Sequence, residues 1–351
     1  MRHVIYSINK RGFELDYWMR ELSQSSDAQH KITVFNHGSY LDPQCYIRAQ
    51  LLDGLWYAQD SRLMRMYADL TDLITQVGAD AIVVDNCFPY HPEFLRTIPF
   101  HKVLRTSDGP MASYDRDFAY AHAYDQVLYH SRAYSKDLSM PEKLAYLGVR
   151  RADFWPLALF DVAFDADATE EQLFARTRDI DILFVGALHV DKMPLLAKVK
   201  KVFGRRCRLH GLASTKKNVY FNAKFGAPGW VRPISFDQYK PLYQRTKIGF
   251  NVHLRGDYTV GGYRLFDVPA NGAMQISDGG EYLNDFYDVG REVARYASTD
   301  DLIGKLDYYL THEKERIEIA RAGRKRAMQS HRIKDRMKEL GVLIDAAIAA
   351  K

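Results

Sequence analysis

Cysteine is scarce in this chain, and its placement excludes a stapled fold. Three occur in 351 residues, Cys45, Cys87 and Cys207. They are far apart, odd in number and form no CxxC pair. A disulfide framework or a zinc site is therefore not expected, and a reducing cytoplasm is. No run of about 18 apolar residues exists, so no transmembrane helix is expected and any membrane attachment would be peripheral. The opening MRHVIYSINKRGFELDYW reads as a strand and a polar turn, with too short an apolar run for a signal peptide. The turn NKRGFE around Gly12 lacks GxGxxG, which argues against a dehydrogenase. Low-complexity segments and short-period repeats are missing too. Charge is not strongly one-sided: a net +5 fits anionic substrates such as nucleotides or phosphates but does not identify nucleic-acid binding.

What remains is an ordinary globular composition, 47% hydrophobic and 26% charged, in a chain long enough for two domains. The first half alternates short apolar runs with longer amphipathic ones. Strands are expected at residues 3–8, 32–35, 81–85, 102–106 and 126–129, with a long helical stretch over about 43–77. Strands separated by helical crossovers imply a parallel sheet covered on both faces. Around Arg150 the pattern changes. GVRRADFWPLALFDVAFDADATEEQ reads as an extended connection between domains. Alternation then restarts, with strands at 180–185, 208–212, 248–254 and 274–276, helices at 193–203 and 236–244, and a helical tail from Thr299. The expected domains are 1–155 and 156–330. A C-terminal helix follows at 331–351, with the first domain as its candidate packing partner.

Open parallel sheets bind ligands beyond the carboxyl ends of their strands. The stretch GGYRLFDVPANGAMQISD, residues 261–278, follows the strand that carries Asn251. Gly256, Gly261 and Gly262 make its loop permissive. A helix starting near Tyr263 would turn free N–H groups towards a phosphate, and Arg264 would add a forked cation. Asp267 shares its face and could accept two bonds from a ribose diol. Two readings stay open from spacing alone: a ligand site, or an Arg–Asp pair on a connecting helix. Pro269 cannot donate a helical hydrogen bond, so the helix is either short and irregular or begins late.

YRLFDVPANGAMQISD, the following EYLNDFYDVGREVARYASTDDLIGKLDYYL, and ERIEIARAGRKRAMQSH together resemble the C-terminal domain of GT-B glycosyltransferases, closest to the CgeB-like branch. The resemblance covers roughly residues 179–336. The first half resembles the family more loosely, through LRTSDGP and YDQVLYHS. It implies an α/β, GT-B fold: two Rossmann-like domains facing each other across a cleft. The second would bind a nucleotide sugar, a UDP-sugar by default, and the first an acceptor with a free hydroxyl. No cofactor is expected. The resemblance assigns Asp267 to the ribose, and assigns the diphosphate to basic residues near it and on the loop GALHVDKMP, residues 186–194. Gly186 opens that loop; Lys192 is its natural phosphate partner and His189 a weaker one. Trp230 and the Val231 backbone, in GAPGWVRPIS, would cover the base.

One departure is visible. Related retaining enzymes carry a second acid eight positions before the Asp267 site, where this chain has Thr259. Asp257 is out of register, so the stereochemical course is left open. On the acceptor side, Asp108 in RTSDGP is the candidate general base. His37, after the second strand, is a second candidate. Asp85 and His91 could line the acceptor pocket. Three DxD triplets occur, at 115–117, 165–167 and 179–181. None is placed as a metal clamp should be, so no essential metal is expected. The basic run 316–338 reads as a solvated helix face, or as attraction to a lipid-linked glycan, an anionic membrane surface or nucleic acid. Same-fold alternatives are a sugar-nucleotide epimerase or hydrolase; a different class is a two-domain binding protein without catalysis.

Overall fold

A computed structural model describes residues 1–40, 56–58, 61–85, 90–106, 118, 120–135, 138–253 and 262–351, apart from the side chains of residues 133–135, 236 and 237. The chain divides into two compact units. One is Met1–Leu157 with Ile333–Lys351, and the other is Ala158–Arg332.

Unit 1 holds a six-stranded sheet ordered β2-β1-β3-β4-β5-β8. Its strands are β1 (Arg2–Ile8), β2 (His30–Asn36), β3 (Ala81–Asp85), β4 (His101–Arg105), β5 (Gln126–Tyr129) and β8 (Ala152–Phe154), and a small antiparallel pair, β6 (Ala133–Ser135) with β7 (Leu138–Ser139), lies apart. Every pairing in the main sheet is parallel. The Val- and Ile-rich runs predict this, because a parallel strand is covered on both faces; β3, AIVVD, is buried at every position. Helix Arg62–Val77 starts on the Ser61 cap, whose hydroxyl accepts from Met64 N, and stops at Gly78 in the left-handed region. It buries Leu63, Met66, Tyr67 and Leu70, the spacing of one helical face.

The last helix, Ile333–Ala349, belongs to this unit. Asp345 takes hydrogen bonds from Arg2 and from His30 Nε2, the latter at 3.0 Å, and Trp155 Nε1 donates to the Arg336 carbonyl at 2.9 Å. The chain thus leaves unit 1 after Leu157 and returns to it at the end.

Unit 2 has a five-stranded parallel sheet ordered β10-β9-β11-β12-β13. Its strands are β9 (Ile180–Val185), β10 (Cys207–His210), β11 (Thr246–Phe250), β12 (Met274–Ser277) and β13 (Ala294–Arg295). Helix Arg264–Ala270 lies directly on β11 because position 249 is glycine: a Cβ there would meet Val268 Cγ1 at 2.6 Å. The stretch read as an extended connection is more structured than expected. It contributes β8 to unit 1 and a helix, Glu170–Phe174, to unit 2, the latter opened by a Thr169–Gln172 capping box. Both are too short to show a period in sequence.

Candidate functional site: a buried cation pair at the strand ends of unit 2

The carboxyl ends of β9, β11 and β12 gather the polar residues that the sequence singles out, together with several it does not. Gly186 follows β9 and donates to the His210 carbonyl at 2.9 Å. Next to it stands Gly211, with φ +136°. A Cβ on Gly211 would lie 2.1 Å from the Gly186 carbonyl oxygen, so only glycine permits this close crossing of the two loops. Gly211→Ala is expected to destabilise unit 2 by about 2–3 kcal/mol, through strain and overpacking together. Thermal melting of the variant beside the wild type checks it, and an unchanged midpoint refutes it.

Beyond Gly186 a short turn carries Lys192 into helix Met193–Phe203. Its side chain is only 5% exposed as a residue. Burial, then the nearby Arg264 cation, push its ammonium pKa down to about 8, with Asp278 working the other way. Arg264 comes from the first turn of helix Arg264–Ala270 and reaches the Gly186 loop: a Cβ on Gly186 would stand 3.4 Å from one of its terminal nitrogens. Among the described residues neither cation forms an ion pair, and Arg264 Nε is buried without a hydrogen-bond partner. Two like charges in a low-dielectric site repel strongly unless an anion lies near them. His189 lies on the same turn; burial, then Lys192 and Lys217, depress its pKa.

The end of β11 adds Asn251, fully buried, with both side-chain amide atoms unpartnered among the described residues. The end of β12 adds Ser277 and Asp278. Ser277 Oγ is also buried and unpartnered. Asp278 accepts from the backbone N–H of His253 at 2.7 Å and pairs with His253 Nδ1. Burial works against the Asp278 carboxylate, yet the bonds to His253 hold it below the usual range. Residues His253, Ser277 and Asp278 were not identified from sequence. The available signal was two neighbouring parallel strands ending in NVH and ISD, which the topology sets side by side.

Asp267 is not solvent-facing. It is 5% exposed, and Tyr239 Oη donates to its Oδ2 at 2.9 Å. Burial raises its carboxyl pKa to about 7, against the Tyr239 bond and the Arg264 charge. It does not form the helix-face ion pair with Arg264 that the i,i+3 spacing offers. Pro269 finds its place here. The helix is short and ends in the Asn271–Gly272 turn, with Gly272 at φ +71°. The proline has no N–H for the Leu265 carbonyl, and Tyr287 Oη supplies the bond instead at 3.0 Å. The first turn presents fewer free donors than expected, because Leu265 N donates to the Gly262 carbonyl and Phe266 N to that of Tyr263, each at 2.9 Å. The Tyr263 ring packs edge-on to Phe160, centroids 6.1 Å apart.

Two further expectations change. Val231 has no exposed surface, and its N–H and carbonyl both bond the Asn218 side chain, at 2.9 and 3.0 Å. Its backbone N–H is therefore already committed within the protein. Trp230 is exposed on the surface beside it. Five of the nine lysines and arginines in the run 316–338 pair within the protein: Arg316 with Glu313, Arg321 with Glu170, Arg326 with Glu292, Arg332 with Asp161 and Arg336 with Glu339.

In unit 1, His37 is fully buried beyond β2, its Nδ1 2.8 Å from Ser7 Oγ, and burial drives its pKa down to about 3. In that place the ring is neutral and closed to solvent. Asp85 accepts from Arg105 at 2.6 Å in a buried pair, and His91 caps helix Pro92–Thr97 while stacking on Trp56. Asp108, Thr259 and the loop glycines 256 and 261 lie outside the described residues. Among the described residues no group of three or more His, Cys, Asp or Glu could hold a metal ion, and no helix is long and apolar enough to cross a membrane.

Residues 192–341 match a protein-family model described as glycosyl transferase-like. No curated protein matches the chain. Solved structures similar to it include a sucrose-phosphate synthase from Thermosynechococcus elongatus (13% identity, all of both chains, TM-score 0.64). A glycosyltransferase from Rickettsia africae is also similar (10%, 99% of this chain and 98% of that one, TM-score 0.66). A third is HepE from Anabaena, in complex with UDP and glucose (11%, 99% and 100%, TM-score 0.64). With two Rossmann-like parallel-sheet units, the chain has the GT-B fold, and most of its second unit carries the glycosyl transferase-like sequence pattern.

Proposed function

We propose that the protein is a glycosyltransferase of CgeB-like type that moves a sugar from a nucleoside-diphosphate donor, held by unit 2, to an acceptor hydroxyl. One observation carries this reading. Among the described residues, Lys192 and Arg264 are brought together without forming an ion pair, at the carboxyl ends of parallel strands, beside buried polar atoms lacking hydrogen-bond partners. A diphosphate satisfies that arrangement. Its charge would grow on the leaving oxygen as the glycosidic bond breaks, and preorganised cations stabilise such charge without reorganisation. Transfer on this basis needs no metal. UDP-sugars are the first donors to test, since HepE is a structural relative in complex with UDP and glucose. Asp108 is the proposed base on the acceptor side, from its place after β4 in the sequence.

Thermal-shift measurements with UDP, GDP, TDP, CMP and ADP test the donor site. A ligand at 100 times its dissociation constant should stabilise the protein by about 2.7 kcal/mol. At least one nucleoside diphosphate is expected to do so, and CMP less. If none shifts the melting curve, the transferase reading fails.

A further inference from the structure

His253 stands out among the groups that this reading leaves without a task. It follows β11, on the strand that precedes the Arg264 helix. Its side chain is 7% exposed. Nδ1 and the backbone N–H both face the Asp278 carboxylate, which fixes the ring from two directions. The other nitrogen, Nε2, is buried and has no hydrogen-bond partner among the described residues. A carboxylate on one ring nitrogen sets the tautomer and the direction of the other. Asp278 in turn favours the Lys192 ammonium electrostatically, and it closes β12, the strand paired with β11, at the same carboxyl edge.

We propose that His253, oriented by Asp278, is a further ligand-contacting residue of this site, presenting Nε2 to a diphosphate oxygen and taking up a proton from solvent as the ligand binds. The inference rests on the donor-site reading above. Asp278 faces the ring at Nδ1; Tyr296, whose hydroxyl bonds the Asn251 carbonyl at 2.9 Å, lies against Asp278, and the Lys192 and Arg264 cations belong to the same strand-end cluster as Asp278. With the diphosphate bound, its negative charge favours an imidazolium, and Nε2 then meets it as a charged donor. The proton comes from water, and no bond other than N–H is made. Asp278 is a positioning residue in this scheme and does not touch the ligand.

The tightest-binding nucleoside diphosphate from the thermal screen is the probe. Its binding is measured by calorimetry at pH 6, 7 and 8, in two buffers with different heats of ionisation, for the wild type and His253→Gln. The ligand's own titration and that of Lys192 are common to both proteins and cancel in the comparison. The wild type is expected to take up more protons than the variant, approaching one. It should bind about tenfold more tightly at pH 6, an advantage that shrinks by pH 8. Asp278→Asn should shift the same pH profile while keeping the histidine. Should either variant fail to fold, histidine side-chain NMR of the wild type decides, with one of its 12 imidazoles becoming cationic on ligand addition. Equal affinity, pH profile and proton uptake in wild type and variant, with binding intact, would overturn the His253 assignment and leave the donor site standing. Absence of nucleoside-diphosphate binding to the wild type overturns both.

Discussion

Lys192→Met is expected to make the protein more stable and far poorer at holding a nucleoside diphosphate. The two effects have one cause. In the free protein the buried ammonium pKa is held near 8, against 10.5 in an unfolded chain, first by burial and then by Arg264. A cation disfavoured to that extent destabilises the fold by about 3 kcal/mol at neutral pH. Between pH 8 and 10.5 the unfolded chain keeps a proton that the folded protein has released. Wild-type stability therefore rises with pH across that window, and the methionine variant lacks the rise. Methionine fills the space of the lysine stem with no charge to desolvate. Its melting temperature at pH 7 should stand about 5–10 °C above the wild type, and the gap should close towards pH 10.5. Binding moves the other way. Losing a buried, charge-assisted contact typically weakens association by about 2–5 kcal/mol, or from about 30-fold to several-thousand-fold in Kd. In the wild type, affinity should fall as pH rises above 8, because the neutral amine must regain its proton to meet the phosphate. Thermal melts and titrations at matched pH read both effects. A variant that is no more stable and binds as tightly would remove Lys192 from the site.

How much of this was legible in sequence follows from the physics of each element. Strands covered on both faces announce themselves as apolar runs, which is why Ala81–Asp85, Gln126–Tyr129 and Ile180–Val185 coincide with the expected spans. Three-residue β8 and two-residue β13 carry too few positions to show a period, and helix Thr215–Phe225 is only weakly two-faced, burying Asn218 and Phe221. Within the site, the edge rule pointed to the Arg264 helix and the family resemblance to the Gly186–Lys192 loop, and the structure brings these residues near one another. Partners distant in sequence were the illegible part. The bond from Tyr239 to Asp267 spans 28 positions, that from Tyr287 to Leu265 spans 22, and the His253–Asp278 dyad spans 25. Nothing in local spacing encodes those pairings; the register of β11 against β12 sets the last of them, and the packing of helix Arg264–Ala270 the first two. Val231 shows the converse, a backbone whose availability depended on Asn218 and was invisible until that side chain was placed.

Asp267→Asn separates a ribose contact from a purely internal role for this carboxylate. Burial raises the Asp267 pKa to about 7, from 3.8 in an unfolded chain. Between those values the folded protein binds a proton that the unfolded chain has lost, so stability falls as pH rises from about 4 to 7. By pH 8 the penalty is complete and amounts to about 4 kcal/mol. Asparagine has the same shape and can still accept from Tyr239, but it carries no charge. The variant should therefore melt well above the wild type at pH 8 and close to it at pH 4. That outcome follows from burial alone and says nothing about ligands. The ligand arm uses two probes that share a diphosphate, the best nucleoside diphosphate and inorganic pyrophosphate. If Asp267 accepts from the ribose diol, the variant should bind the nucleotide about tenfold more weakly, a loss of about 1.4 kcal/mol, near the lower end for a hydrogen bond to a charged group. Pyrophosphate has no ribose, and its affinity should hold or tighten slightly, because a negative charge near Arg264 has gone. Equal affinity for the nucleotide in both proteins would confine Asp267 to the interior, as the neighbour that moderates the Arg264 cation.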